Sequence, residues 1–309
     1  MRGSRILCTL VLIASAAAFG LFNWNYYRSK DTLGPVISMD SSDIFVSVND
    51  PQSQVMAGVT AMDSKDGDVT NLMLIEDLSD FVEEDTRIVS YAAFDKDNHV
   101  SKAQRRMTYT DYVSPHFSLS APLRFPATSS SVNYLNNISA WDCLDGDISS
   151  QITFTAGSVI NTDTVSDYKM TLEVTNSAGD NVQLPVTFSV YDSMLANASP
   201  EIDLSDYLVY TGIGQKLEPI DYVTKVIYHN TEYEMTDDEG TFAVNTEDWS
   251  RWAKKEFEER EPAVNRGKIQ INDMVNYQVP GTYEIIYELT DLEGNTGTVT
   301  LIVVVEEAD

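Results

Sequence analysis

Residues 61–70 read AMDSKDGDVT, and residues 140–149 repeat the pattern as AWDCLDGDIS. Both copies keep the alanine, the aspartate two positions later and the Asp-Gly-Asp triplet. Their spacing of about 79 residues exceeds a solenoid unit and suits a small β-sandwich domain. The 309-residue chain is therefore predicted to be a string of modules, each of which buries its own core.

Each module opens and closes on a recognisable pattern. Pro35, Pro115 and Pro200 each follow a small residue and precede an extended apolar stretch. Each module then ends on alternating apolar residues around a polar turn, most clearly in residues 281–305, and this period of two predicts a closing β-hairpin. The predicted limits are 1–30 for an N-terminal segment and 34–112, 114–192 and 199–307 for three domains.

Composition excludes several classes of function. A formal net charge of −28 makes nucleic acid a poor partner, because the phosphate backbone would be repelled. With two cysteines, Cys8 and Cys143, and three histidines in separate modules, the chain lacks material for an intradomain disulfide, a zinc site or a catalytic triad. The protein is predicted not to be an enzyme.

The N-terminal segment is predicted to enter a membrane. Arg2 and Arg5 precede an apolar run at residues 6–22, which is short for a spanning helix and long for a signal-peptide core. The aromatic residues at 24–27 favour a retained anchor with an extracytoplasmic C-terminal region. The alternative is cleavage among the small residues at 14–18, followed by secretion.

The third module is longer than the others and lacks the Asp-Gly-Asp segment. Its insertion, at about 227–267, contains a predicted helix over residues 246–260 that Thr246 can cap and Pro262 bounds. Trp249, Trp252 and Phe257 lie on one face of that helix. This face either packs on its own sandwich or, as the alternative, binds a partner.

The repeated aspartates allow two interpretations, a structural turn or a calcium site. Asp-Gly is a turn former, and aspartate side chains accept hydrogen bonds from their own turn amides. Carboxylates converging at one end of a sandwich could instead bind Ca²⁺, the one cofactor that the sequence suggests. The candidate calcium ligands are Asp63, Asp66, Asp68, Asp95, Asp97, Asp142, Asp145 and Asp147.

These motifs, in this order, resemble bacterial immunoglobulin-like surface repeats, which are similar in style to hyalin-repeat and cadherin-like modules. The early motif is the Asp-Gly-Asp segment, and the late motif, Gly-x-Tyr through Gly-Asn, is intact at residues 281–295. The resemblance covers residues 34–306 and implies an extracellular sandwich that acts as a spacer, stalk or adhesive module. The expected fold is all-β: three tandem immunoglobulin-like β-sandwich domains after an N-terminal transmembrane or signal helix, the third domain with a helical insertion.

Two functional hypotheses follow. The first is a membrane-tethered extracytoplasmic stalk or adhesive protein, which holds a surface for another surface protein away from the membrane. The alternative is a carbohydrate- or cell-wall-polymer-binding module that uses aromatic residues of the third domain. Because the junction at residues 110–114 is short and that at 192–199 is longer, the second junction is expected to bend.

Overall fold

The computed structural model describes residues 2–29, 32–127, 133–155, 160–193, 198–237, 263–291 and 293–307. After one N-terminal helix, the described chain is built almost entirely of β-strands, which confirms the all-β prediction. It divides into two compact units, Met1–Tyr112 and Val113–Asp309.

The N-terminal helix, α1, spans Arg2–Ser29. Its segment Cys8–Tyr26, 19 residues, is long and apolar enough to cross a membrane, and none of it is buried against the rest of the chain. At 1.5 Å per residue that segment is about 28 Å long, close to the ~30 Å hydrocarbon core of a bilayer. A signal sequence near an N-terminus passes the same test of length and composition.

The first repeat, residues 34–112, is a sandwich of two sheets. Its strands are β1 (Val36–Met39), β2 (Asp43–Val46), β3 (Val59–Asp63), β4 (Gly67–Asp68), β5 (Met73–Leu78), β6 (Thr86–Phe94) and β7 (Val100–Tyr109), with one turn of helix, α2 (Gln52–Val55), before β3. The sheets have the orders β1-β3-β4 and β2-β7-β6-β5. All pairs are antiparallel except β2 with β7, which are parallel.

The core of this repeat lies between its two sheets. Alternation along β3 turns Val59, Ala61 and Asp63 inward, and the facing sheet contributes Tyr91 and Met107. Each of the four apolar residues in this set is at most 4% exposed. The period of two therefore fixes which face of each strand is buried.

The second repeat, residues 114–192, has the same order of strands. They are β8 (His116–Leu119), β9 (Arg124–Pro126), β10 (Ile138–Asp142), β11 (Gly146–Asp147), β12 (Thr153–Phe154), β13 (Ser166–Thr175) and β14 (Asn181–Tyr191). The sheets are β11-β10-β8 and β12-β13-β14-β9, and β9 runs parallel to β14 as β2 does to β7. The repeated sequence segment thus reflects a repeated topology.

The third repeat, residues 199–307, varies this plan. Its strands are β15 (Glu201–Leu204), β16 (Leu208–Gly212), β17 (Val223–Tyr228), β18 (Thr231–Thr236), β19 (Ala263–Asn265), β20 (Gln270–Asp273), β21 (Gly281–Thr290) and β22 (Thr296–Glu306). They form the sheets β15-β17-β18-β19 and β16-β22-β21-β20. The hairpin β17–β18 takes the place of the Asp-Gly-Asp turn. The predicted helix at 246–260 lies outside the described residues.

The second and third repeats pack together through an inter-repeat joint formed by His116, Phe117, Tyr210 and Glu306. The backbone N–H of Phe117 donates to Tyr210 Oη at 2.8 Å, and the His116 and Tyr210 rings meet edge to face at 4.1 Å. His116 Nε2 lies 3.1 Å from Glu306 Oε1. The expectation that the longer junction bends stays a prediction, because residues 194–197 of that junction lie outside the described residues.

Candidate functional site

The repeated segment, residues 61–70 and 140–149, forms a tight turn. Its first aspartate, which precedes the Asp-Gly-Asp triplet, accepts hydrogen bonds from the backbone of the turn. The N–H groups of Lys65 and Asp66 donate to Asp63 Oδ1, each at 2.8 Å. In the second repeat Asp142 Oδ1 accepts from the two equivalent N–H groups, each at 2.9 Å. Gly67 and Gly146 have φ of 75° and 74°, a left-handed conformation that glycine adopts without steric cost.

The end of the motif is fixed by a second set of bonds. The N–H of Thr70 donates to Asp68 Oδ1 at 3.0 Å, and the N–H of Ala61 donates to Thr70 Oγ1 at 3.0 Å. Ser149 makes the same bonds with Asp147 and Ala140, at 3.0 and 3.1 Å. The hydroxyls of Thr70 and Ser149 lower the pKa of Asp68 and Asp147 respectively. The hydroxyl residue therefore recurs because its side chain satisfies the backbone N–H of the alanine while its own N–H is satisfied by the last aspartate of the motif.

The middle aspartate of the motif reaches the turn of the closing hairpin. Asp66 Oδ2 accepts from the N–H of Lys96 at 2.9 Å. In the second repeat Asp145 accepts from the N–H and the hydroxyl of Ser177, at 2.6 and 2.7 Å. The early and late motifs, about 30 residues apart in sequence, thus form one structure that we call the turn brace.

The turn of the closing hairpin begins at a residue whose side-chain oxygen accepts a hydrogen bond from the backbone N–H four positions later. Asp95 Oδ1 accepts from the N–H of His99 at 2.8 Å. Asn176 Oδ1 accepts from the N–H of Asp180 at 3.0 Å in the second repeat. Asp291 Oδ1 accepts from the N–H of Asn295 at 2.8 Å in the third. The late motif therefore requires Asp or Asn at this position.

The three repeats differ in the hydrogen-bond partner of the second polar atom of this Asp or Asn side chain. In the second repeat Asn176 Nδ2 donates to Asp142 Oδ2 at 3.1 Å, and both side chains are buried. In the third repeat, which lacks the early aspartates, Tyr228 Oη donates to Asp291 Oδ2 at 2.9 Å. Each of these buried carboxylates therefore has a donor.

The first repeat leaves one carboxylate oxygen without a donor. Asp95 stands where the second repeat has Asn176, and Asp63 Oδ2 is buried with no hydrogen-bond partner in the part of the chain that the structure describes. The other oxygen of Asp95, Oδ2, lies 2.6 Å from His99 Nδ1. Two buried carboxylates, one of them paired with a histidine, thus replace the aspartate–asparagine pair.

The pKa values of these two carboxyls reflect opposing effects. The backbone N–H groups of Asp66 and Lys65 lower the pKa of Asp63 below its ordinary value, against the effects of burial and of the Asp95 charge. Burial raises the pKa of Asp95, but its bonds with the backbone and ring of His99 outweigh burial and leave that pKa below its ordinary value. Both groups therefore favour the charged form near neutral pH.

Each candidate calcium ligand of the first repeat already has an internal partner through at least one carboxylate oxygen. Asp97 is ion-paired with Lys65, and Asp66 Oδ1 lies 3.5 Å from Lys96 Nζ. Among the described residues, no group of three or more His, Cys, Asp or Glu side chains is placed to hold a metal ion. Calcium binding stays a prediction, and the geometry favours the turn interpretation.

Removing calcium provides the test. We expect the melting temperature to be the same in EDTA and in millimolar calcium, because turn amides and lysines already satisfy most of the carboxylate oxygens. A ligand that binds only the folded state at about 100 times its Kd would add roughly 2.7 kcal/mol. Differential scanning calorimetry measures this, and a higher melting temperature in calcium than in matched magnesium would establish a calcium site.

The candidate partner-binding residues Trp249, Trp252 and Phe257 lie outside the described residues. Their role stays a prediction.

A cleft between the second and third repeats is a feature that sequence reasoning missed. Its walls are the outer faces of β14 and of β21 and β22, and its volume is about 420 Å³. Arg124, Asp167 and Glu284 are among the lining residues. They come from three strands far apart in the chain, so no local motif marks them.

Comparisons with known proteins give distant likenesses. No family model matches the chain. An uncharacterized 81.3 kDa protein of Acholeplasma phage L2 is 24% identical over 204 residues, and this match covers 66% of the chain and 22% of the phage protein. The chain thus spans about a fifth of the length of the curated relative that it matches.

Two solved structures show a weaker likeness. One contains the CBM51-2 and INT domains of Clostridium perfringens ZmpB, with 18% identity, 48% of this chain and 26% of that chain covered, and a TM-score of 0.21. The other is the protocadherin GammaB4 extracellular domain, with 13% identity, 91% and 51% covered, and a TM-score of 0.22. These scores are too low to support a conclusion, and the fold rests on the chain's own strands.

Proposed function

We propose that the protein is a membrane-tethered, extracytoplasmic stalk or adhesive protein of three immunoglobulin-like domains, without catalytic activity. The observation that carries the proposal is the inter-repeat joint. A donated backbone N–H, a ring contact and a histidine–glutamate pair join two sandwiches across separate strands. A joint of this kind supports a presenting role, because it fixes one domain against the next.

The strand order supports the immunoglobulin-like assignment. In each repeat an early strand pairs in parallel with the last strand, as β2 with β7, β9 with β14 and β16 with β22. The remaining pairs in the first two repeats are antiparallel, and the two sheets enclose one core, which is the architecture of immunoglobulin-type sandwiches. Such folds serve many roles, so the function is argued from the anchor and the joint.

The N-terminal helix and the acidic repeats support an extracytoplasmic location tethered to a membrane. Cys8–Tyr26 can span a bilayer, and the residues that follow form acidic sandwiches suited to an aqueous exterior. A chain with a formal net charge of −28 resists non-specific attachment to anionic surfaces and polymers. Attachment to a target then depends on specific contacts.

Fractionation and intact mass test the tether. We expect the mature chain in the membrane fraction to retain its N-terminal helix, and an external protease to digest the repeats in intact cells. Deleting residues 2–29 should move the protein to the soluble fraction. A mature chain beginning at Ala17 or Phe19 would show that the helix is cleaved, and repeats protected in intact cells would contradict the topology.

A further inference from the structure

The cleft between the second and third repeats is elongated. The 420 Å³ cavity is followed by a second of about 430 Å³, and both are lined by Thr187 and Glu284. Thr187 Oγ1 donates to Glu284 Oε1 at 3.3 Å, so this contact crosses the cleft where the two cavities meet. Clefts of several hundred Å³ at domain junctions are common ligand sites.

A row of three polar residues, which we call the polar row, crosses the wall of the cleft that the second repeat forms. Asp167 is the register partner of Ser189 on β13 and β14, and Ser189 is the register partner of Arg124 on β14 and β9. Adjacent strands lie about 4.8 Å apart, so the row carries an acceptor, a hydroxyl and a cationic donor over roughly 10 Å. Ser189 Oγ donates to Asp167 Oδ1 at 2.7 Å, which fixes the carboxylate.

The arginine is held in position before any ligand arrives. Its guanidinium carbon lies 4.6 Å from the centre of the Tyr191 ring, and Nη1 lies 3.5 Å from the carbonyl oxygen of Thr298 on the opposite repeat. A guanidinium held on an aromatic face loses little freedom when it forms a further hydrogen bond. The row is therefore preorganised.

The chemistry of the cleft selects a ligand class. Leu123, Ile286 and Ile302 supply an apolar floor, while the row offers both donors and acceptors. Pyranose rings combine apolar C–H faces with hydroxyls that each donate and accept, so they match both surfaces. A carboxylate beside a guanidinium binds neighbouring hydroxyls through charge-assisted hydrogen bonds.

Charge and shape narrow the class further. The cations Arg124 and Lys169 offset the anions Asp167 and Glu284 along the two cavities. This local balance, in a chain of formal charge −28, favours an uncharged ligand over an anionic one. Two cavities in series favour a linear ligand over a single sugar.

We propose that the cleft between the second and third repeats binds a linear, uncharged oligosaccharide, with Asp167, Ser189 and Arg124 as its polar contacts. This inference names a ligand class for the adhesive role and rests on that proposed function.

The test uses the full chain in lipid nanodiscs, because many detergents carry sugar headgroups. Maltotetraose, cellotetraose and the tetramer of N-acetylglucosamine are the uncharged probes, and tetragalacturonate is the acidic one. Saturation-transfer NMR is expected to show binding of at least one uncharged probe at about 1 mM or tighter, and weaker binding of tetragalacturonate.

Variants then locate the site. Asp167→Asn and Arg124→Gln are each expected to weaken binding about tenfold or more, because each removes a charge-assisted hydrogen bond. Asp163→Asn is the matched control in the same repeat, and Trp141→Ala tests an aromatic residue, 58% exposed, that does not line the cleft. Both should leave affinity unchanged, and all variants should keep the parent melting temperature.

Three results would overturn the proposal: no binding of any uncharged probe at about 10 mM, tighter binding of tetragalacturonate, or binding lost in Trp141→Ala and kept in Asp167→Asn. If Asp167→Asn and Arg124→Gln fail to fold, Ser189→Ala, which removes one hydroxyl, is measured in their place. The titration does not depend on the tether. A chain found free of the membrane would refute the proposed function and leave this result standing.

Discussion

Replacing Asn176 with aspartate is expected to destabilise the second repeat by about 1–3 kcal/mol, the cost of a buried polar group without a partner. Asn176 Nδ2 now donates to Asp142 Oδ2 at 3.1 Å, and the two side chains are 5% and 0% exposed. The substitution removes that donor and places two carboxylates together. It therefore recreates the arrangement of the first repeat without the histidine that accompanies it there.

Denaturant unfolding at pH 7 measures the loss, and hydrogen exchange in β10 and β11 locates it. The destabilisation should shrink as the pH falls toward the carboxyl pKa, because the introduced carboxyl, once protonated, would donate to Asp142. Asn181→Asp makes the same charge change at an exposed position, where water replaces the hydrogen bond that Asn181 Nδ2 donates to Thr175 Oγ1, and should stay within about 0.5 kcal/mol. Equal losses in the two variants would show that net charge, rather than the lost donor, is responsible.

The reciprocal change supplies a second control. Asp95→Asn is expected to exchange the pair with His99 for a donor to Asp63 Oδ2, as Asn176 provides for Asp142, so the first repeat should remain folded and lose little or no stability. Because the pKa of Asp95 in the native chain lies below its ordinary value, Asp95 contributes stability above about pH 4 that is lost as the pH falls through its folded-state pKa. In Asp95→Asn, the free energy of unfolding should therefore fall less steeply at low pH than in the parent chain.

The closing hairpins show what sequence could predict. Alternation of apolar residues around residues 291–295 places β21 and β22 correctly, since a period of two determines both strand type and buried face. The Asp-Gly turn was also predictable, because glycine is the residue that adopts its left-handed conformation at no cost. Both signals are local in the chain.

The roles of the aspartates were harder to predict, because spacing alone fits both a turn and a metal site. What favours the turn is the position of the N–H donors of Lys65, Asp66 and Lys96, which depends on how two separate loops meet. The inter-repeat joint and the cleft depend in the same way on residues such as Phe117 and Tyr210, 93 positions apart. No periodicity in sequence encodes a contact of that range.

Replacing Gly297 with alanine is expected to be the most disruptive small change in the third repeat. Gly297 is buried in β22, and a Cβ there would lie 1.5 Å from the carbonyl oxygen of Pro200 and 2.7 Å from its carbonyl carbon. The obstacle is backbone at the start of β15, so no side-chain rotation relieves it. Overpacking of this kind costs about 3 kcal/mol, and relief requires β15 to move away from β22.

Calorimetry of the full chain measures this loss, and hydrogen exchange in residues 201–204 should increase selectively because β15 is the displaced strand. Gly212→Ala in β16 is the matched control. A Cβ there meets atoms of the flexible Gln215 side chain at 3.3 Å or more, so the change should stay within about 0.5 kcal/mol. If both variants melted with the parent chain, the close approach of Pro200 to β22 would be refuted. A selective loss in Gly297→Ala would show that the start of the third repeat depends on a residue with no side chain.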